Sequence, residues 1–133
     1  MNTTLGWKEY VLVLSKRDGR WKRFEAKMDT GAGRCRIKEK EAKKLGLEPT
    51  NKTVSVITGS GKEIRSVAAK TSLLIAGRKF SCYFRISTKH PHQHCILIGR
   101  SILKQGFVVD VSKTYLWGSE DEVKKYQWNL NKE

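Results

Sequence analysis

Residues 26–34 read Ala-Lys-Met-Asp-Thr-Gly-Ala-Gly-Arg, so an apolar approach breaks at one carboxylate, Asp29, set in a turn of small residues. Two chemistries suit a carboxylate there. In an Asx-type turn it accepts hydrogen bonds from nearby backbone amides and does nothing more. Alternatively it is half of an acid–base pair whose other half comes from elsewhere. Asp110, in the apolar stretch FVVDV, is an intrachain partner to consider, but it lacks the Thr-Gly turn. A second constellation is His90, His92, His94 and Cys95 in HPHQHC, where imidazole and thiolate suit zinc or copper. Pro91 disrupts strand geometry and no H-E-x-x-H supplies a general base, so this segment reads as a polar loop. Neither a metal nor another cofactor is expected.

The elements that must hold Asp29 are mainly strands. Period-2 alternation dominates the chain. EYVLVL (9–14) is a strand, Asp18-Gly19 marks a hairpin turn, and the return strand runs straight into Asp29. In that return strand Phe24, Ala26 and Met28 share one face, and Arg23, Glu25 and Lys27 the other. IKEKEAKKLG (37–46) predicts a helix with Gly46 as its C-terminal cap. TVSVI and EIRSVAA flank Thr58-Gly59-Ser60-Gly61-Lys62, a flexible hairpin tip. TSLLI and KFSCYFRI flank a second hairpin turn at Ala76-Gly77-Arg78, with Phe80, Cys82, Phe84 and Ile86 on one core-like face. ILIG (96–99) reads as a short buried strand, and RSILKQG as a helical turn. FVVDV and TYLWG supply the last strands, and Ser119 with Glu122 forms a capping box for a helix over 120–127.

At 133 residues the chain reads as one fold unit: a domain over 1–118 followed by a helical tail over 119–133. It shows no signal-peptide pattern, and no apolar run nears the ~20 residues of a membrane span. The three cysteines, Cys35, Cys82 and Cys95, are scattered without a Cys-x-x-Cys pair, which fits a reducing compartment and a cytoplasmic protein. Against 13 Asp and Glu stand 27 Lys and Arg, a formal charge of +14. That excess attracts polyanions at long range, whether nucleic acid, acidic peptide or anionic membrane. Nucleic acid is permitted but not specified, since no RNP motif, Cys/His finger or basic zipper is present.

The order of Asp29-Thr30-Gly31-Ala32, a hairpin tipped by Gly59-Ser60-Gly61, and Ile96-Leu97-Ile98-Gly99-Arg100 resembles the retropepsin-like aspartic peptidases. LGWKEYV (5–11), AKMDTGA (26–32), LIGRSIL (97–103) and FVVDVSKTYLWG (107–118) look like a narrower bacterial and phage family, long labelled ATP-dependent zinc proteases. Its members neighbour ribosomal-protein glutamate ligases. The resemblance implies a closed, mainly β barrel with one or two short helices.

It further implies a water held between two carboxylates, one acting as base while the other, protonated, donates to the peptide carbonyl. Two carboxylates ~3 Å apart share a proton because they cannot both ionise easily. With one Asp-Thr-Gly per chain, the second carboxylate is Asp29 of another copy, in a homodimer. The resemblance makes Thr30, Gly31 and Ala32 the active-site loop, Gly59, Ser60 and Gly61 the flap, and Gly99 and Arg100 structural support. Many retropepsins carry an acid after D-T-G-A that pairs with the arginine; here Gly33 stands there, leaving Arg100 to backbone carbonyls or another acid. The substrate implied is a peptide, acidic or poly-glutamate, met by Arg34, Arg36, Lys62 and Arg65. The competing reading is a catalytically inactive retropepsin-like module that holds acidic protein or nucleic acid.

Overall fold

The computed structural model describes residues 2–58, 61–68, 70–87 and 94–132, and for 49–58 and 62–68 the backbone alone. Gly59, Ser60, His90 and His92 therefore lie outside the described residues, as do the side chains of Lys62 and Arg65.

Among the described residues the elements follow one another as β1 (Thr3–Leu14), β2 (Trp21–Met28), β3 (Cys35–Lys38), α1 (Glu39–Lys44), β4 (Pro49–Thr58), β5 (Gly61–Ala68), β6 (Thr71–Ile75), β7 (Arg78–Cys82), β8 (Phe84–Ser87), β9 (Ile96–Ile98), α2 (Arg100–Leu103), β10 (Phe107–Thr114) and α3 (Glu120–Asn131). The strands form one sheet in the order β4-β5-β8-β3-β9-β2-β1-β6-β7, with β10 beside β1, curled into a half-barrel. The fold is mainly β. None of the described helices is long and apolar enough to cross a membrane.

Alternation along the strands builds the core. Val11, Val13, Ala26, Met28, Cys35, Ile37, Leu73, Phe80, Phe84, Ile96 and Ile98 are buried in one cluster. Complete burial of a side chain such as Phe84 or Ile98 contributes about 1.5–3 kcal/mol each. A second, small cluster joins α3 to the outer side of the sheet through Leu12, Leu74 and Val123, with Tyr10, Trp21 and Leu130 against it. Asn131 locks that docking: its side chain accepts from the Trp21 amide at 2.7 Å and donates to the Trp21 carbonyl at 3.0 Å. The Ser119–Glu122 capping box is present, and α3 runs four residues past the 120–127 expectation because Leu130 and Asn131 find partners on the sheet.

Elsewhere long-range pairing moves the boundaries. Ile37 and Lys38 belong to a strand and not to the helix expected over 37–46; Ile37 pairs with both Ile86 and Ile96, and its burial overrides the local helical pattern. Gly46, at φ +67°, does end α1, with the Leu47 amide reaching back to the Ala42 carbonyl at 2.9 Å. KFSCYFRI divides at Tyr83 into β7 and β8, because one half pairs with β6 and the other with β3. TYLWG adds only Thr114 to β10. Beyond it the chain turns at Tyr115, whose φ of +52° is a left-handed conformation rare for a bulky residue.

Candidate active site

The Asp29 turn is a product of strand order. β9 lies between β2, to which it is parallel, and β3, to which it is antiparallel. The connection 29–34 therefore crosses the end of β9, and Asp29 continues the ladder by donating its amide to the Ile98 carbonyl at 2.8 Å. Alternation from Met28 in the core turns the Asp29 side chain to the opposite face, where Lys27 also lies.

Within the turn, the Asp29 carboxylate accepts the Gly31 amide at 3.1 Å, and the Ala32 amide donates to the Asp29 carbonyl at 3.1 Å. Thr30 and Gly31 are exposed, whereas Ala32 is buried. One carboxylate oxygen is thus oriented by the backbone, and the group is only half-buried.

The start of α2 clamps the loop from behind. The Arg100 amide donates to the Ala32 carbonyl at 2.8 Å, and the Ser101 amide to the Gly33 carbonyl at 3.0 Å. The Arg100 guanidinium donates through Nη1 to the Thr30 carbonyl at 3.0 Å, so a backbone carbonyl occupies the place that Gly33 cannot fill with a carboxylate. Gly99 is the contact point. A Cβ there would lie 2.5 Å from the Arg34 carbonyl oxygen and 2.9 Å from that of Ala32.

Beneath Gly99 lies Cys35, whose Sγ accepts the Gly99 amide at 3.4 Å and stands 3.9 Å from Ser101 Oγ. The Cys82 thiol bonds to it as well. That bond holds Cys35 below the ordinary thiol range, while it and burial push Cys82 well up. All three cysteines are free.

The remaining candidates are dispersed over the molecule. Arg34 is exposed and lines a cavity of about 140 Å³ together with Ser81, Tyr83, Ser101 and Gln105. Arg36 lies on the Asp29 face of the sheet, in a row considered below. Gly61, at φ +120°, pairs with Thr58 at the end of the β4–β5 hairpin, and Lys62 and Arg65 follow along β5. Asp110 is spoken for locally. Its carboxylate accepts both the amide and the hydroxyl of Ser112, at 2.9 and 2.6 Å, which hold it below the usual carboxylate range. Of the histidine segment, His94 faces Glu25 at 3.6 Å and packs edge-on against Trp7. No cluster of three metal-ligating side chains exists among the described residues.

Away from the Asp29 turn, one buried carboxylate escaped the sequence reading. Glu9 is fully buried, and its carboxylate accepts the amides of Gly6, Leu116 and Trp117 at 2.7, 3.0 and 3.1 Å. It staples the 115–118 turn onto β1. A lone charged residue heading an apolar strand was the available signal, but two of its three partners lie over a hundred residues away.

The model of a family described as "gag-polyprotein putative aspartyl protease" matches residues 18–105, the stretch from the first hairpin through α2. The chain belongs to this aspartyl protease family. The matched stretch contains the Asp29 turn, β9 and the Gly99–Arg100 clamp. Among solved structures, a Legionella pneumophila protein of unknown function, Lpg0085, superimposes with a TM-score of 0.60 at 16% identity, covering 88% of this chain and 99% of that one. The simian foamy virus protease gives 0.52 at 20% identity, over 73% of this chain and 91% of its own. The EIAV protease, solved with the inhibitor HBY-793, gives 0.52 at 15% identity, over 73% and 84%. At these identities the likeness is one of fold. No curated protein sequence matches the chain.

Proposed function

We propose that this family member is an aspartic endopeptidase working as a homodimer, with Asp29 of each protomer at one shared active site. The observation that carries the reading is the Asp29 carboxylate itself. It is held by the Gly31 amide at an exposed turn, inside the stretch that matches the aspartyl protease family. Symmetry supplies the second carboxylate. One of the pair takes a proton from the bound water while the other gives its proton to the carbonyl oxygen, producing a tetrahedral intermediate. The first carboxyl then gives its proton to the scissile nitrogen while the second takes one back from a hydroxyl of the intermediate, so the C–N bond breaks and acid and amine leave.

The formal charge of +14 favours acidic peptide substrates. The four segments similar to the zinc-protease-labelled family point the same way, toward trimming of glutamate tails. Three free thiols suit a reducing, cytoplasmic setting.

The test is Asp29→Asn in the purified protein. Cleavage of a peptide library should fall by at least about a hundredfold, the lower end of what a positioned acid–base group supplies, with an unchanged circular dichroism spectrum. Cleavage at the wild-type rate would overturn the aspartic reading. A wild-type protein that binds acidic protein or RNA yet cleaves no peptide would instead be the inactive module.

A further inference from the structure

The sheet register assembles a row of side chains that no single segment of sequence displays. Lys27 on β2 pairs with Leu97 on β9, Leu97 with Arg36 on β3, and Arg36 with Arg85 on β8. Paired residues of neighbouring strands project from the same face. The four therefore stand side by side on the face that carries Asp29, opposite the core face of Met28, Ile98, Ile37 and Phe84. Leu97 is buried yet belongs to neither apolar cluster.

Two cations directly opposite each other on neighbouring strands repel. Here they are also withdrawn from water: Arg85 is buried, Arg36 half-buried, and the buried Nε of Arg36 has no hydrogen-bond partner. None of the ion pairs between described residues involves Arg36. A guanidinium so placed is a ready fork for a carboxylate. Strands lie about 4.8 Å apart and rise about 3.4 Å per residue, which puts the Arg36 backbone ~12 Å from that of Asp29, within reach of one arginine side chain and one substrate side chain.

We infer that Arg36, with Arg85 beside it and Leu97 as an apolar floor, forms a specificity subsite that takes a glutamate side chain two residues from the scissile bond. This rests on the peptidase reading of Asp29 and gives it a substrate class at one position. In a twofold dimer the subsite occurs on both sides of the cut, so the preferred substrate carries acidic residues flanking it symmetrically.

The test compares two peptides that differ only at that position, Glu against Gln. Wild-type protein should cleave the Glu peptide with a kcat/KM at least about tenfold higher, the size of one charge-assisted hydrogen bond. Arg36→Gln should bring the ratio close to one, and Arg36→Lys should restore part of it, which a merely structural residue would not do. Equal cleavage of both peptides by the wild type would overturn the subsite, as would a ratio unmoved by Arg36→Gln. The same pair is titrated by fluorescence anisotropy against the Asp29→Asn protein. Tenfold tighter binding of the Glu peptide supports the subsite even where no cleavage is seen, in which case only the peptidase reading fails. Equal binding there removes the subsite independently of catalysis.

Discussion

The Cα of Gly99 sits under the carbonyl of Arg34 so closely that a methyl group on Gly99 would be 2.5 Å from its oxygen. The backbone of Gly99, at φ −100° and ψ −178°, is open to any residue. What demands glycine here is contact: the loop bearing Asp29 is draped over this one position. Gly99→Ala should therefore cost about 1–3 kcal/mol, the usual penalty of overpacking, and displace the turn as it does so. Urea unfolding measures the first, and peptide cleavage at a temperature where the variant remains folded measures the second. A fully stable, fully active Gly99→Ala would show that the loop is not held by this contact.

Glu9 offers a second stability test. Removing its carboxylate by Glu9→Ala leaves three backbone amides without their acceptor, and orphaning buried donors costs about 1–3 kcal/mol for each group. Tryptophan fluorescence should also change, since Trp117 hangs from that staple and donates its indole N–H to the Thr4 carbonyl at 2.8 Å. Loss below 1 kcal/mol with an unchanged emission spectrum would mean the 115–118 turn holds itself.

Acid should loosen the first hairpin before the core. The Asp18 carboxyl is lowered to about 2, first by its bond to Lys22 Nζ and then by the Arg20 amide. A carboxyl depressed in the folded state stabilises fully above its unfolded value near 4 and loses that contribution as pH falls toward 2. Between pH 4 and 2 the wild type should lose more stability than Asp18→Asn does. Parallel denaturation midpoints for the two proteins across that window would disprove it.

Mixing experiments address the dimer. Asp29→Asn subunits added in excess should suppress wild-type cleavage, because mixed pairs hold one carboxylate in place of two. Undiminished activity per wild-type subunit, with subunit exchange verified, would place the second acid within the chain, and Asp110 would be the first to replace.

Chelation separates the carboxylate chemistry from the histidines. Cleavage should continue in strong chelators, and His90, His92 and His94 replaced together by Asn should leave most of it. Turnover that stops with chelator and returns with zinc would transfer the chemistry to the histidine segment.

The turn at Asp29 was legible in the sequence because its signal is local: a strand, a carboxylate and two small residues in succession. The hairpin turns were legible for the same reason, as Ala76 and Gly77 at positive φ and the capping box at Ser119 show. What escaped was set by pairings distant along the chain. Ile37 reads as helical among its charged neighbours, yet it is strand because Ile86 and Ile96 flank it. Arg85 lies in KFSCYFRI with nothing local to single it out, and only the register sets it against Arg36. Glu9 reads as the polar head of a strand until amides from the far end of the chain arrive.

The insertion of β9 between β2 and β3 imposes an order in time. During synthesis Asp29 leaves the ribosome well before Ile96–Ile98, at rates of ~5–20 residues per second. Until those residues arrive, the Asp29 amide lacks the Ile98 carbonyl and the loop lacks Gly99 and Arg100 to close on. Such distant pairing forms slowly. A nascent chain thus carries its acidic residue in an open loop, and the turn is assembled only once Ile96–Arg100 have been made.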